Sequence, residues 1–163
     1  SQTAYTALSV LKKMGWKLSK EIIQAGLKKI IKNTGLSGRW QILNHTPKAI
    51  CDTAHNREGL SLIMKQLNTV SYDQLHIVLG VVDDKNLDTI LPLFPKNAIY
   101  YFCKPNVVRG LDVKKLAQQA SLYSLVGQSY SSVNVAYEKS LTAAAKNDLI
   151  FVGGSTFVVA EVL

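Results

Sequence analysis

The stretch His76-Ile-Val-Leu-Gly-Val-Val82 carries a single polar side chain in seven residues. A strand apolar at both alternating positions must be covered on both faces, which points to a parallel sheet held between helical layers. The chain from Trp40 onward repeats the same unit. Residues 41–45 and 48–51 read as short strands about a turn at Thr46 and Pro47, an antiparallel hairpin. A helix follows, with Leu60, Ile63, Met64 and Leu67 at helical spacing. Strands over 75–82, 98–103, 124–127 and 148–152 then alternate with helices around 86–94, 112–121 (capped by Asp112), 132–146 and 155–163. Such alternation predicts right-handed βαβ connections. The expected fold is a three-layer, Rossmann-like α/β sandwich of about six strands, mostly parallel, with one antiparallel edge strand near residue 41.

The first quarter of the chain differs. Ala4, Leu8 and Leu11 share one helical face ahead of Gly15; Ser19 can cap a second helix whose stripe is Ile23, Leu27, Ile30 and Ile31, closed by Asn33, Thr34 and Gly35. Two short amphipathic helices have little but a partner to bury those stripes against. The net charge of +8 also lies here: residues 1–39 hold eight Lys and Arg against Glu21, while residues 40–163 hold eleven against ten acids, so the remainder is close to neutral. With no RNA-binding signature, this basic segment reads as a solvated helix face, and no nucleic-acid partner is expected. No apolar run approaches a membrane span and no signal-peptide pattern opens the chain, so no membrane partner and a cytoplasmic location are expected. Cys51 and Cys103 lie inside apolar runs without metal-ligand spacing, as reduced core residues would, and no metal ligands are expected in this chain.

Ligands of an open parallel sheet bind beyond the carboxyl ends of its strands. Three constellations fall there. Asp52-Thr-Ala-His-Asn56 leads from strand 48–51 into a helix; Asp83-Asp84-Lys85-Asn86 follows strand 75–82; Gly153-Gly154-Ser155 follows strand 148–152. Each has a plainer alternative: Asp52 as a helix cap, His55 as a surface histidine, Lys85 as the ion-pair partner of Asp84, and Gly154-Ser155 as a turn and cap. His45 and His76 are read as satisfied surface histidines. The chain holds no G-x-x-x-x-G-K-[ST] phosphate loop, G-x-G-x-x-G turn, H-E-x-x-H or G-x-S-x-G string, so it looks like half of an active site.

Gly38-Arg39-Trp40, Asp52-Thr-Ala-His-Asn56 beginning thirteen residues after Arg39, Gly80 with Asp84-Lys85, and Gly154-Ser155, in that order, resemble the C-terminal domain of the folylpolyglutamate synthase/dihydrofolate synthase family, within the Mur ligase superfamily. The resemblance covers residues 37–163; residues 1–36 look like the last helices of a preceding ATPase domain plus a linker. It departs at Arg57, where the family generally has proline, and at Thr156-Phe157, where it often has leucine and tyrosine.

The resemblance implies an ATP-dependent carboxylate–amine ligase. A pteroate or folate carboxylate becomes an acyl phosphate, which the amino group of L-glutamate attacks. It further implies a catalytic, nucleotide-binding Arg39 at the phosphates, a nucleotide-binding Asp52, a catalytic His55 that also binds substrate, and substrate-binding positions at Asn56, Ser155 and Lys85. ATP and Mg2+ are the implied cofactors, with the metal ligands in the preceding domain, which is the implied partner of a monomeric enzyme. The 163-residue chain alone is expected to be inactive. Two alternatives stand beside this: a peptidoglycan-precursor Mur ligase, disfavoured because Ala54 stands where those enzymes more often carry lysine, and a stand-alone α/β binding module.

Overall fold

The computed structural model describes residues 2–163, which divide into two compact units, the residues up to Ser37 and Gly38–Leu163. In the first unit, α1 (Gln2–Lys13) buries no residue, and α2 (Lys20–Lys28) buries only Ile23. Ser19 caps α2, its side chain accepting the Ile22 amide at 3.2 Å. The expected continuous second helix is broken: it kinks at Lys29 (φ −104°, ψ 20°) before a short α3 (Ile30–Thr34). Gly26 and the β-branched pair Ile30-Ile31 are weak helix formers on either side of that break. Tyr5, Val10, Trp16, Ile22 and Ile31 are exposed.

The second unit is a six-stranded sheet in the order β1-β2-β6-β3-β4-β5. β1 (Gln41–His45) is an antiparallel edge strand on β2 (Lys48–Cys51), and β3 (Leu75–Leu79), β4 (Ile99–Phe102), β5 (Gly127–Ser129) and β6 (Leu149–Gly153) all run parallel to β2. The period of two sorts the side chains. Ile77 and Leu79 of β3 join Phe151, Tyr100 and Phe102 in a core under α4 (Arg57–Leu67), α5 (Leu87–Ile90) and α6 (Val113–Ser121). Val78, with Ile150, Val152 and Tyr101, packs on the other face under α7 (Val133–Ala143) and α8 (Thr156–Ala160). The three-layer sandwich is the expected one. α4 shows how it is held: Leu60, Ile63, Met64 and Leu67 are all buried, and removing one such side chain, as in Leu60→Ala, typically costs ~2–5 kcal/mol.

The structure corrects several expectations. The strand foreseen to Val82 leaves the sheet after Leu79, because Val81 accepts the Leu111 amide and Val82 bridges to Gly110 instead. The helix around 86–94 shrinks to α5 followed by a 3-10 turn over Leu91–Leu93, since Pro92 has no amide to continue it. The strand near 124–127 lies instead at Gly127–Ser129. Ser124 takes φ 61° and the Leu125 amide returns to the Ala120 carbonyl, so those residues end α6.

His76 is not a surface histidine: it is 2% exposed on central strand β3. Its Nδ1 lies 3.0 Å from the Tyr101 hydroxyl and its Nε2 3.2 Å from Asp148 Oδ2. Burial by itself would raise the Asp148 carboxyl. The Ala145 amide, the His76 ring and the Gln74 amide outweigh it and hold the group below the ordinary carboxylate range. His45 is exposed, and Cys51 and Cys103 are buried free thiols. No helix among the described residues is long and apolar enough to cross a membrane.

Candidate functional site

β2, β6 and β3 are adjacent and parallel, with Cys51 opposite Val152 and Leu79 opposite Gly153. Their carboxyl ends therefore form one row. Asp52 follows the first, Gly154-Ser155 the second and Gly80 the third. The Asp52 amide still reaches the Val152 carbonyl (3.2 Å), and the Gly80 amide the Gly153 carbonyl (3.4 Å). The chain must pass close here: Gly154 has φ 93°, and a Cβ on it would lie 2.6 Å from Leu79 Cδ1 and 2.7 Å from the Gly80 carbonyl oxygen.

Arg39 is brought to this row by a tight turn. Gly38 (φ 74°) and Trp40 (φ 45°) on either side of it are both left-handed. Three bonds pin the turn: the Gly38 amide to Gln41 Oε1 (2.7 Å), the Thr53 amide to the Gly38 carbonyl (2.8 Å), and the Trp40 amide to Asp52 Oδ2 (2.8 Å). The other Asp52 oxygen accepts the Ala54 amide at 2.8 Å and lies 3.6 Å from the Arg39 guanidinium. Asp52 is 4% exposed, whereas the Arg39 side chain is 57% exposed, so an anchored carboxylate holds a cation that still faces solvent.

Asp52 is not the cap of α4. Asn56 is, its Oδ1 accepting the Gly59 amide at 2.9 Å, which also shows that Arg57 in place of proline does not prevent the helix from starting. His55 is exposed, with Nδ1 3.0 Å from the Thr53 carbonyl. That carbonyl can only accept, so Nδ1 donates to it, and in the neutral ring Nε2 carries the lone pair. Ser155 is buried and caps α8 through the Phe157 amide (3.2 Å). Asp52 thus directly follows β2, Ser155 lies two residues beyond neighbouring β6, His55 and Asn56 lie on the segment from Asp52 into α4, and Arg39 meets Asp52 from the turn before β1.

Lys85 lies further along the segment that leaves β3. It is half-buried and is not the partner of Asp84: that carboxylate pairs with Arg109 at 3.1 Å. Sequence reasoning missed Arg109. The strand-end rule applied to residues 98–103 as well would have led into Lys104–Asp112, the loop that carries it. The guanidinium carbon of Arg109 also sits 5.1 Å from the centre of the Phe157 ring, in the first turn of α8. Among the described residues no group of three or more His, Cys, Asp or Glu side chains could hold a metal ion.

Comparison with known proteins gives this geometry a context. The chain is 27% identical over 162 residues to a probable bifunctional folylpolyglutamate synthase/dihydropteroate synthase of Haloferax volcanii, an alignment covering 99% of the chain and 19% of that protein. Its fold matches Escherichia coli FolC in complex with DHPP and ADP at a TM-score of 0.84 and 26% identity, over 96% of the chain and 36% of FolC. It also matches a bifunctional folylpolyglutamate synthase/dihydrofolate synthase with Mn, AMPPNP and L-glutamate bound, at 0.82 and 29%, over 96% of the chain and 37% of that structure. The chain therefore spans about a third or less of the length of these relatives. The family described as Mur ligase, glutamate ligase domain matches residues 38–156, and the chain belongs to that family.

Proposed function

We propose that this chain is the C-terminal part of an ATP-dependent ligase that joins L-glutamate to a pteroate or folate carboxylate, working against an ATPase domain that precedes it. The observation that carries the reading is the row of Arg39, Asp52, His55 and Ser155 along the adjacent ends of β2 and β6. A family shared with relatives named for folylpolyglutamate synthesis supports it.

In this reading ATP supplies the phosphoryl group that turns the acceptor carboxylate into an acyl phosphate, and the α-amino group of glutamate displaces phosphate from it. Arg39, permanently charged and exposed, meets the nucleotide phosphates and offsets charge that builds during transfer. Asp52, fixed by two amides, keeps further lone pairs for the nucleotide hydroxyls. Nε2 of His55 accepts a proton from the incoming amine. Asn56, Ser155 and Lys85 bind glutamate around it. The chemistry of this wall suits anionic phosphates and carboxylates rather than a bare cation, and we assign Mg2+ to ligands in the preceding domain. The enzyme is then a monomer of the cytoplasm.

The test is ADP formation by the full-length protein with dihydropteroate or a reduced folate and L-glutamate. Wild type turns over only when glutamate is present. Arg39→Ala lowers kcat/KM for ATP by roughly 10²-fold or more, as expected for loss of a charged donor to a phosphoryl group. The 163-residue chain alone forms no ADP. Turnover by that chain, or a full-length protein indifferent to glutamate, overturns the reading.

A further inference from the structure

Two arginine–carboxylate pairs stand on this edge of the sheet, and they are built differently. Arg39 faces a carboxylate that is 4% exposed and tied to two backbone amides, so Asp52 cannot leave. Arg109 faces Asp84, and both side chains are 53% exposed. Among the described residues Asp84 accepts no other hydrogen bond. An exposed pair of this kind is weakly held and readily exchanged.

The guanidinium, by contrast, is well placed. Its loop is fastened to the segment leaving β3 by the Asp83 amide on the Arg109 carbonyl (2.9 Å), the Leu111 amide on the Val81 carbonyl (3.0 Å) and the Val82–Gly110 bridge. Its guanidinium carbon lies over the ring of Phe157, two residues beyond Ser155, 5.1 Å from the ring centre. A cation–π contact of this type restrains the guanidinium while leaving N–H donors open to a carboxylate. Asp84 already shows that a carboxylate fits there, at 3.1 Å.

We propose that Arg109 anchors a carboxylate of the amino-acid substrate, with Asp84 holding its place until that carboxylate arrives. The proposal rests on the reading above that L-glutamate is the incoming substrate, and it adds a cation that neither the motif positions nor the relatives' names assign. It also divides the work on this edge: Arg39 serves the phosphates at the end of β2, and Arg109 serves the amino acid beside α8.

The experiment is steady-state kinetics of the full-length ligase with Arg109→Met, Arg109→Lys and Asp84→Asn. Methionine keeps the apolar contact with Phe157 and removes the charge. Arg109→Met is expected to raise KM for L-glutamate about tenfold or more, with kcat within about threefold and KM for ATP within about twofold. Arg109→Lys falls between, because a point charge replaces a fork. Asp84→Asn removes the internal competitor and lowers KM for glutamate, an effect that a purely structural pair cannot produce. A glutamate KM within about twofold of wild type in Arg109→Met, or a rise in Asp84→Asn equal to that in Arg109→Met, overturns the assignment of Arg109 alone. A wild-type enzyme without glutamate-dependent turnover overturns the ligase reading and this inference together.

Discussion

The Trp40 amide donates to the Asp52 carboxylate across 2.8 Å, so the turn that carries Arg39 is tied to the end of strand β2 by a bond twelve residues apart in sequence. Trp40 holds a left-handed φ of 45°, which a bulky residue adopts only when something fixes it there.

Asp52→Ala leaves both the Trp40 and Ala54 amides without their acceptor and frees the turn. Unfolding by urea is expected to show a loss of about 2–4 kcal/mol, since each unmade bond to a charged acceptor costs about 1.5–3 kcal/mol and the exposed turn recovers part of it from water. Asp52→Asn keeps one accepting oxygen and loses less. Equal stability of wild type and Asp52→Ala contradicts the tie.

Gly38 meets two obstacles to any side chain. Its φ is 74°, and a Cβ would lie 2.8 Å from Thr53 Cγ2 and 3.0 Å from Val159 Cγ1. Gly38→Ala is expected to cost about 1–2 kcal/mol from the left-handed backbone alone and more from the clash. For a domain of this size that lowers Tm by about 4–8 °C, measurable by thermal melting followed by circular dichroism.

Asp148 sets the acid limb of stability. Its carboxyl is depressed in the fold, so its contribution is complete above the ordinary carboxylate range and disappears as pH falls through the lowered value. Asp148→Asn therefore lowers stability at neutral pH and flattens the dependence below about pH 4. Urea titrations across that range read the slope, and an unchanged acid limb in the variant rules the account out.

The two thiols are shielded. Burial first, and the neighbouring Asp52 carboxylate second, push Cys51 up to about 11; burial, with Glu161 adding to it, pushes Cys103 higher still. Because the thiolate is the reactive form, Ellman's reagent at about pH 8 should react slowly with the native chain and promptly with two thiols per chain in guanidinium chloride.

Much of the fold was legible because it rests on periodicity. The hairpin strands at 41–45 and 48–51 lie where alternation and the Thr46-Pro47 turn put them. The caps Ser19 and Asp112 were legible as local chemistry, one side chain meeting one amide at Ser19 and two at Asp112, all within three residues. That Asp52 and Ser155 both follow strand ends on one edge of the sheet came from alternation plus the strand-end rule; that the two strands are neighbours is seen only in the β2–β6 pairing. What lay hidden depends on contacts between distant segments. One histidine in an apolar run looks like a surface residue until Asp148, 72 positions on, and Tyr101 are found against it. Arg109 is one basic residue in a loop until Asp84 and Phe157 bracket it.

The caps on α4 and α8 give this edge a polarity that no charge count reveals. Asn56 and Ser155 each lend one lone pair to their own helix, and the Asn56 amide hydrogens and the Ser155 hydroxyl hydrogen remain to be donated. A group that arrives with lone pairs finds neutral donors there, on side chains that each helix end holds in place. Those donors carry no charge, so neither added salt nor a shift in pH removes them.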